Sequence, residues 1–392
     1  MNDVAISGLG VISAAGIGVA ATRATLRTGA SRPGPVSVFP SALSYPVFEV
    51  AGLEQEDPSP GLRTLDLARA AVREALQDAG LWPLPERRRV GICLGTTVAS
   101  QVNDLDFYRA YRAGAGAKLD SVERYLRGNL AGALQRSLRS SGPAVTVVNA
   151  CSSGADAIGI ARSWITAGYC DIAVGGGADE ICSVPLSGFG VLGILSNTPC
   201  RPFDRDRGGL NLGEGAGVLV LETRASLEAR GRIADLFLEA YGSAIDAHHL
   251  TAPHPEGVGL EAALRWALDA ASITPVDVDF VNAHGTGTMD NDLVEAATLA
   301  RVFGGDVRFL STKGLTGHTL GAAGGLEAAF TALALRDREV PASAGFATCD
   351  PQIGIRPLSE RARVERDYAV STSLAFGGGN AALVLRRARE HQ

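Results

Sequence analysis

One segment of the chain has the features of a thiol nucleophile. Cys151 lies in the sequence NACSSG, residues 149–154, directly after the apolar run 145–148 and before an alanine-rich helical pattern. A cysteine at such a strand-to-helix junction has free backbone N–H groups and the positive end of the helix dipole nearby, and both favour the thiolate. The pattern therefore makes Cys151 a candidate nucleophile. An inert buried cysteine is the alternative for a single thiol.

A second segment carries a histidine and two hydroxyl groups. His284 lies in VNAHGTGTMDND, residues 281–292, just past an apolar strand, where α/β proteins place their ligands. Thr286 and Thr288 follow at positions from which their hydroxyls could bind an amide-bearing ligand. In isolation, a loop histidine that bonds to the backbone would explain the pattern equally well.

A third segment combines a scarce lysine with another histidine. Of the 36 basic residues, only Lys118 and Lys313 are lysines, which a GC-rich genome would explain in general. Lys313 nevertheless lies five positions before His318 in STKGLTGHTLGAAG, residues 311–324, where small residues permit close approach of a ligand or backbone. An ammonium group here could hold the charge state of a neighbour, which arginine does less readily.

The elements that must position these segments alternate between strands and helices. Apolar runs predict strands, and periodic or alanine-rich runs predict helices. The predicted strands are 4–9, 90–94, 145–148, 172–174, 218–222, 233–241, 278–281, 309–311, 370–373 and 381–385; the predicted helices are 65–79, 155–167, 225–231, 260–271 and the run from 325 to 335. This alternation predicts an α/β protein with mainly parallel sheets.

The chain also shows a weak internal duplication. In residues 148–155 and again in 310–322, a buried strand ends in a reactive loop that opens an alanine- and glycine-rich helix. No proline-rich linker separates the two copies. We therefore expect one body made of two similar halves, residues 1–232 and 233–392.

Composition excludes several classes of protein. The net charge of −6 argues against binding nucleic acid through bulk charge. The six cysteines form no CxxC pair, which favours reduced thiols in the cytoplasm over a disulfide framework or zinc site. The uncharged run 4–22 is broken by four glycines and lacks a basic start, so neither a signal peptide nor membrane insertion is expected.

Other short motifs are too weak to predict a cofactor or metal site. Residues 8–10, GLG, lack the third glycine of a dinucleotide-binding loop, and no phosphate-binding P-loop sequence occurs. His248, His249 and His254 have no established ligand spacing. The sequence predicts no cofactor and no metal.

Five motifs together resemble the β-ketoacyl synthases, the condensing enzymes of the thiolase superfamily. They occur in that family's order along nearly the whole chain, and they are NACSSG (149–154), PFDxxRxG…GEGAG (202–217), NAHGTGTxxND (282–292), TKGLTGHxLGAAG (312–324) and AFGGGNA (375–381). The resemblance implies a thiolase-like, five-layered αβαβα fold of two duplicated halves. It also implies a dimer, either of identical subunits or with a related subunit.

The same resemblance implies an activity. An acyl thioester on Cys151 would be extended by malonyl-acyl carrier protein through decarboxylative Claisen condensation, in fatty-acid or in polyketide- or aryl-polyene-like synthesis. His284 and His318 match the family's pair of histidines, and Lys313 matches the lysine that supports them. The implied supporting residues are Glu327 as the ionic partner of the lysine, Phe376 in an oxyanion hole with the Cys151 N–H, and Thr251, Thr286 and Thr288 at the pantetheine arm.

Some positions depart from the family's pattern. Leu374 replaces a phenylalanine, Ala375 a glycine, Gly379 a threonine and Met289 a proline. A β-carbon at Ala375 narrows backbone freedom, so the gating of the acyl pocket is expected to differ. These positions leave the acyl chain length and the pathway open.

Two alternative functions and one interaction surface follow from the same comparison. A thiolase-type acyltransferase would need a second cysteine near the C-terminus, which AFGGGNA lacks, and a non-catalytic chain-length factor would usually lack Cys151.

Because the family's carrier protein is acidic and this chain is acidic too, a local arginine patch must bind it. The candidates are Arg63, Arg69, Arg201 and Arg205.

Overall fold

The fold is built from strands and helices that alternate along most of the chain. The computed structural model describes residues 3–53, 62–84, 89–97, 99–100, 105–127 and 129–389. Its strands are β1 Val4–Ser13, β2 Gly16–Ile17, β3 Val90–Gly95, β4 Ala144–Val147, β5 Ile172–Asp179, β6 Gly215–Thr223, β7 Leu236–Ile245, β8 Val278–Asn282, β9 Phe309–Leu310, β10 Glu339–Val340, β11 Ala362–Arg363, β12 Tyr368–Leu374 and β13 Gly379–Arg387. Its α-helices are α1 Val19–Thr28, α2 Arg63–Asp78, α3 Leu105–Arg112, α4 Asp120–Arg127, α5 Leu130–Leu138, α6 Ser153–Thr166, α7 Ser183–Val191, α8 Arg224–Glu228, α9 Val258–Ala271, α10 Met289–Phe303, α11 Lys313–Thr316 and α12 Ala323–Asp337.

Two sets of five strands repeat the same pairing pattern. The orders are β4-β3-β5-β6-β1 and β9-β8-β12-β13-β7, and the sets meet where Ala5 of β1 pairs with Phe237 of β7. In each set the first three strands are parallel and the last two are antiparallel to their neighbours. The expectation of mainly parallel sheets is therefore wrong. In the second set the reason is plain, because a tight loop joins β12 to β13 as an antiparallel hairpin.

The repeated pattern confirms the predicted thiolase-like fold of two duplicated halves. The boundary between residues 232 and 233 stays a prediction, although it falls in the connection between α8 and β7.

The strands bury both of their faces, which produces five layers. Along β6, Leu219 and Leu221 face a central hydrophobic core, whereas Val218 and Val220 face an outer one. The central core lies between the two sets of strands and contains α6 and α12, which pack against each other. Helix α2 covers the outer face of the first set, and α9 covers that of the second. This alternation of period two explains why the strands are apolar almost throughout.

The two central helices approach each other closely at glycines. A Cβ atom on Gly154, in the first turn of α6, would lie 2.8 Å from both the Gly321 carbonyl oxygen and the Gly325 nitrogen. Only glycine allows the two helix starts to come this close. Because Cys151 and His318 precede these starts, the contact brings the reactive segments of the two halves together.

The largest difference from the sequence-based prediction is α10. The sequence pattern places its first turn, MDND, in the histidine loop, yet Met289–Phe303 is a regular helix with Val294, Leu299 and Val302 on its buried face. Acidic residues in its first turn favour the helix by interacting with its dipole. No helix among the described ranges combines the length and the apolar character that crossing a membrane requires.

Candidate active site

Cys151 occupies a sharp turn between β4 and α6. The preceding residue, Ala150, adopts φ 46°, a left-handed conformation that is uncommon for residues other than glycine. Ser153 holds the turn, since its hydroxyl donates to the Ala150 carbonyl at 2.6 Å and accepts the Asn149 N–H at 2.7 Å. The turn places Cys151 in the wall of a cavity of about 230 Å³.

A buried carboxylate supports this turn from behind. Asp156, on α6, accepts hydrogen bonds from the Asn149 side-chain amide at 2.6 Å and from the Ser152 hydroxyl at 2.8 Å. Its other oxygen accepts the Tyr241 hydroxyl at 2.7 Å. Tyr241 belongs to β7, so a residue of the second half helps to fix the turn that carries Cys151.

The charge state of Cys151 is governed mainly by burial. Removal from water raises the pKa of this thiol to about 11, while the positive charge of Lys313 and the Phe376 N–H act in the opposite direction. The negative charges of Asp179 and Glu327 raise the thiol pKa further. Burial therefore opposes the effect expected of the helix N-terminus, and the resting group is a neutral thiol.

His318 presents a defined tautomer to the same cavity. Its Nδ1 accepts the Leu320 N–H at 3.1 Å, so Nδ1 carries no proton and the neutral ring must carry it on Nε2. Burial, together with the positive charge of Lys313, keeps the His318 pKa well below its usual value. The ring is therefore a neutral N–H donor at physiological pH.

The tautomer of His284 is also fixed by a hydrogen bond to Nδ1, but here the donor is a side chain and not a backbone N–H group. The Lys313 ammonium donates to His284 Nδ1 at 3.1 Å and to its carbonyl oxygen at 2.5 Å. Because an ammonium has no acceptor, Nδ1 must accept and the proton again lies on Nε2. Burial and the charge of Lys313 hold the His284 pKa well below its usual value. The two imidazole rings meet edge to face, with centroids 5.1 Å apart.

Lys313 is neutralised by a buried acid. Its Nζ forms a hydrogen-bonded ion pair with Glu327 of α12, and both side chains are almost fully buried. Burial raises the Glu327 pKa to about 7, although Lys313 acts to lower it. Lys313, predicted from its scarcity, thus lies in the interior and connects an acid to a histidine.

The cavity gathers most of the predicted residues. Its wall includes Cys151, His284, His318, Phe376, Thr251, Thr286 and Thr288. The hydroxyls of Thr286 and Thr288 lie 2.9 Å apart. Lys313 and Glu327 lie behind the histidines and do not line it.

An aromatic pair lies at one side of the cavity. Phe376 stacks on Phe189 of α7, with ring centroids 5.4 Å apart and an interplanar angle of 21°. The Phe376 loop turns at Gly377 and Gly378, whose φ angles are 86° and 83°. These two positions need glycine, whereas Ala375 does not adopt positive φ and its β-carbon is accommodated.

Several residues of the site were not predicted. Phe189 gave no signal, because α7 has no amphipathic pattern. Glu295 accepts the N–H groups of His284 and Gly285 at 2.8 and 2.7 Å and so holds the backbone of the loop that carries His284. Recognising the helical pattern of α10 would have placed this acid one turn after Asn291, facing the loop.

The arginine candidates for carrier binding are not equivalent. The Arg63 guanidinium is bound to the fully buried Glu214, so it is committed to the interior rather than to a partner. Arg69 pairs with Asp66 on its own helix. Arg201 and Arg205 are exposed. The backbone of Arg201 lies beside Gly287, the residue that separates Thr286 from Thr288 in the cavity wall.

The other histidines organise a neighbouring loop. His249 Nδ1 accepts the N–H groups of Thr251 and Ala252, and His254 Nδ1 accepts that of Glu256. Over the described ranges of the chain, no group of three or more histidine, cysteine, aspartate or glutamate residues is arranged to hold a metal ion.

Comparison with known proteins places the chain among related enzymes. Residues 47–226 match the family described as "Beta-ketoacyl synthase, N-terminal domain", and residues 237–347 match "Beta-ketoacyl synthase, C-terminal domain". The "3-oxoacyl-[acyl-carrier-protein] synthase 2" of Staphylococcus aureus (strain COL) is 36% identical over 83% of this chain and 82% of its own. The protein of the same name from Rhizobium meliloti (strain 1021) is 34% identical over the full length of both chains.

Solved structures agree with these relatives. "The ishigamide ketosynthase/chain length factor" superposes with a TM-score of 0.91 at 32% identity, over 99% of this chain and 100% of the other. The structure "AntDE:AntF (apo): type II PKS acyl-carrier protein in complex with its ketosynthase bound to the hexaketide" superposes with a TM-score of 0.90 at 25% identity, over 99% of this chain and 100% of the other.

Proposed function

The chain belongs to the β-ketoacyl synthase family of carbon–carbon bond-forming acyltransferases, and on that premise we propose that it is an active condensing subunit that uses Cys151, His284 and His318. The observation that carries this proposal is the pair of neutral imidazoles beside a buried thiol, each with its Nδ1 occupied and its Nε2 proton free.

The first step is acyl transfer to Cys151. The sulfur adds to the carbonyl carbon of an acyl thioester, the Cys151 proton is transferred away, and the carrier thiol leaves with a proton. The proton that Cys151 loses is taken up by the departing carrier thiolate, because each imidazole already carries a proton on Nε2 and has its Nδ1 occupied. The Phe376 N–H, which already points at Cys151 Sγ, is suitably placed to stabilise the oxyanion of the addition intermediate.

The second step is decarboxylation of a malonyl thioester. Breaking the bond to the carboxylate releases CO₂ and leaves negative charge on the thioester oxygen. The Nε2–H groups of His284 and His318 can donate to this oxygen together, which a neutral ring protonated on Nδ1 could not do. The resulting carbanion attacks the acyl carbonyl, and Cys151 leaves as a thiolate that takes a proton again.

Two alternatives fit the site less well. A thiolase would need a second thiol for proton transfer, but among the described residues Cys151 is the one cysteine in the cavity wall. A chain-length factor would not need the nucleophile and both oriented histidines, which this chain retains. The fully formed site therefore favours catalysis.

The partners follow from the same premise. We propose that acyl and malonyl groups arrive on an acyl carrier protein, as in the related ketosynthase complex, and that the chain forms a dimer with itself or with a related subunit. Strand β4 supports a dimer, because it is the edge strand of its set, and Val145 within it and Val148 directly after it are exposed. An unpaired strand edge of this kind can be covered by a second subunit.

We further propose a cytoplasmic location. All six cysteines are free thiols, five of them buried, as expected of a protein that works in a reducing compartment.

The proposal is tested by following acyl and malonyl carrier proteins with the enzyme by intact-protein mass spectrometry. The wild type should gain the acyl mass on Cys151 and then form the β-ketoacyl carrier, and Cys151→Ala should do neither. His318→Ala should still become acylated but should not condense. Condensation by Cys151→Ala, or cleavage of β-ketoacyl-coenzyme A without condensation by the wild type, would reject the proposed function.

A further inference from the structure

Asp179 is a fully buried acid that the reaction itself does not use. It is the last residue of β5, and it does not line the cavity. One carboxylate oxygen accepts the Thr96 hydroxyl at 2.6 Å, and the other accepts the N–H groups of Thr97 and Gly321, each at 2.7 Å. A buried carboxylate needs such donors, so these hydrogen bonds fix its position.

One of the two backbone donors lies in the His318 segment, and the other contacts the Cys151 turn. Gly321 follows His318 by three residues and lies in the 3-10 turn that leads into α12, where N–H groups lack partners within the helix. Thr97 adjoins the other segment, since its hydroxyl donates to the Ala150 carbonyl at 3.3 Å, next to Cys151. The Asp179 carboxylate thus accepts hydrogen bonds from backbone N–H groups in both halves of the chain.

We propose that Asp179 is a positioning residue. Its hydrogen bonds hold the His318 segment in a fixed position relative to the Cys151 turn, and so set the distance and orientation between the Cys151 thiol and the His318 ring that would bind the enolate. This inference rests on the proposed function, because it concerns the condensation step. A small displacement of one group in such a site can cost about 10²-fold in rate, which is enough to make the link functionally important.

The charge of Asp179 provides an independent signature of the same contact. Asp179 and Glu327 raise the thiol pKa of Cys151, whereas Lys313 and the Phe376 N–H lower it. Removing the Asp179 charge without moving the backbone should therefore shift the titration of Cys151 to lower pH. A purely structural role remote from the thiol would leave this titration unchanged.

Two substitutions separate geometry from charge. In Asp179→Asn, the amide oxygen can still accept both backbone N–H groups while the NH₂ group donates to Thr96. Asp179→Ala removes these hydrogen bonds from Thr96, Thr97 and Gly321. Asp279→Asn is the matched control, because Asp279 on β8 is also buried and accepts two backbone N–H groups, from Glu365 and Arg366, but is no part of the site.

The experiment measures three quantities on the full-length protein: the pH dependence of Cys151 alkylation by iodoacetamide, the rate of acylation, and condensation by pre-acylated enzyme. Asp179→Asn should shift the alkylation curve to lower pH and retain condensation within about threefold of wild type. Asp179→Ala should lose condensation by at least tenfold more than acylation, and Asp279→Asn should match the wild type in all three.

An unshifted alkylation curve for Asp179→Asn, or equal losses of acylation and condensation in Asp179→Ala, overturns the inference. If Asp179→Ala does not fold, the titration of Asp179→Asn decides alone. Alkylation does not require condensation, so a wild type that fails to condense rejects the proposed function without obscuring the result for Asp179.

Discussion

The Lys313 ammonium lies 3.1 Å from His284 Nδ1, and this contact determines which ring nitrogen carries the proton. A second donor bond to the His284 carbonyl and the ion pair with Glu327 leave the lysine little freedom to move. In the proposed reaction, Lys313 would therefore act through His284, by keeping Nε2–H available and the ring neutral, rather than by touching the reacting atoms.

Lys313→Ala should reduce condensation more than acylation. Without the ammonium, Nδ1 of His284 can take the proton and Nε2 then no longer donates to the enolate oxygen. Loss of one such donor costs about 10²–10³-fold in rate. Intact-mass measurement of acyl-enzyme and of β-ketoacyl product separates the steps. Lys118, the other lysine, is exposed, so the control variant Lys118→Ala should behave as the wild type. Equal loss of acylation and condensation in Lys313→Ala would contradict the proposed role of Lys313.

Condensation should fall as the pH decreases through about 7. Burial raises the Glu327 pKa to about 7, so below this pH the acid is protonated and no longer offers Lys313 a negative partner. The histidines add no step in this range, because their pKa values lie well below 6.5.

The measurement is the rate of condensation by pre-acylated enzyme between pH 6 and 8, which removes the ionisation of Cys151 from the profile. Glu327→Gln should have a lower plateau and no step near pH 7. A wild-type rate that is constant over this range, or a step that persists in Glu327→Gln, would assign the acid another role.

Arg201 and Arg205 should contribute to carrier binding. Arg201 is exposed and its backbone lies beside Gly287, next to the cavity wall, and Arg205 is exposed and pairs with the neighbouring Asp206. Opposite charges accelerate and strengthen encounters with an acidic partner. The double variant Arg201→Glu with Arg205→Glu should raise KM for malonyl-acyl carrier protein about tenfold at low salt and leave kcat and the use of malonyl-coenzyme A nearly unchanged.

Steady-state kinetics at two salt concentrations test this surface. Arg265→Glu is the control, since Arg265 is an exposed arginine on α9 that pairs with Glu261. If Arg265→Glu raises KM as strongly as the double variant does, net charge rather than the local patch explains the binding.

Gly154→Ala should destabilise the protein. The added Cβ would lie 2.8 Å from the Gly321 oxygen and the Gly325 nitrogen, so α6 and α12 would have to move apart. Overpacking of this kind costs about 1–3 kcal/mol, which should lower the midpoint of urea unfolding. In Gly132→Ala, on α5, the nearest atom is the end of the flexible Arg136 side chain at 3.4 Å, and stability should be unchanged or slightly higher. A Gly154→Ala midpoint equal to that of the wild type would show that the helices can adjust.

Much of the fold was predictable from local pattern. The predicted helix 155–167 is observed as Ser153–Thr166, and the predicted strand 278–281 as Val278–Asn282. Strand direction was not predictable in the same way, because antiparallel and parallel buried strands have similar apolar sequences. Local pattern does not predict helix α10, because its polar first turn continues the polar character of the histidine loop.

The sequence by itself determined the reactive residue types, their order along the chain and the duplication of the halves, because these are properties of local motifs and hydrophobic periodicity. Tertiary structure alone decided how those residues behave. Lys313 contacts His284, which precedes it by 29 residues in the sequence. Cys151, from the other half of the chain, lines the same cavity as His284. Protonation states depend on burial and on distances between charges, which come from remote packing. For that reason the sequence suggested a thiolate at Cys151, whereas the folded protein holds a buried neutral thiol beside two neutral imidazoles.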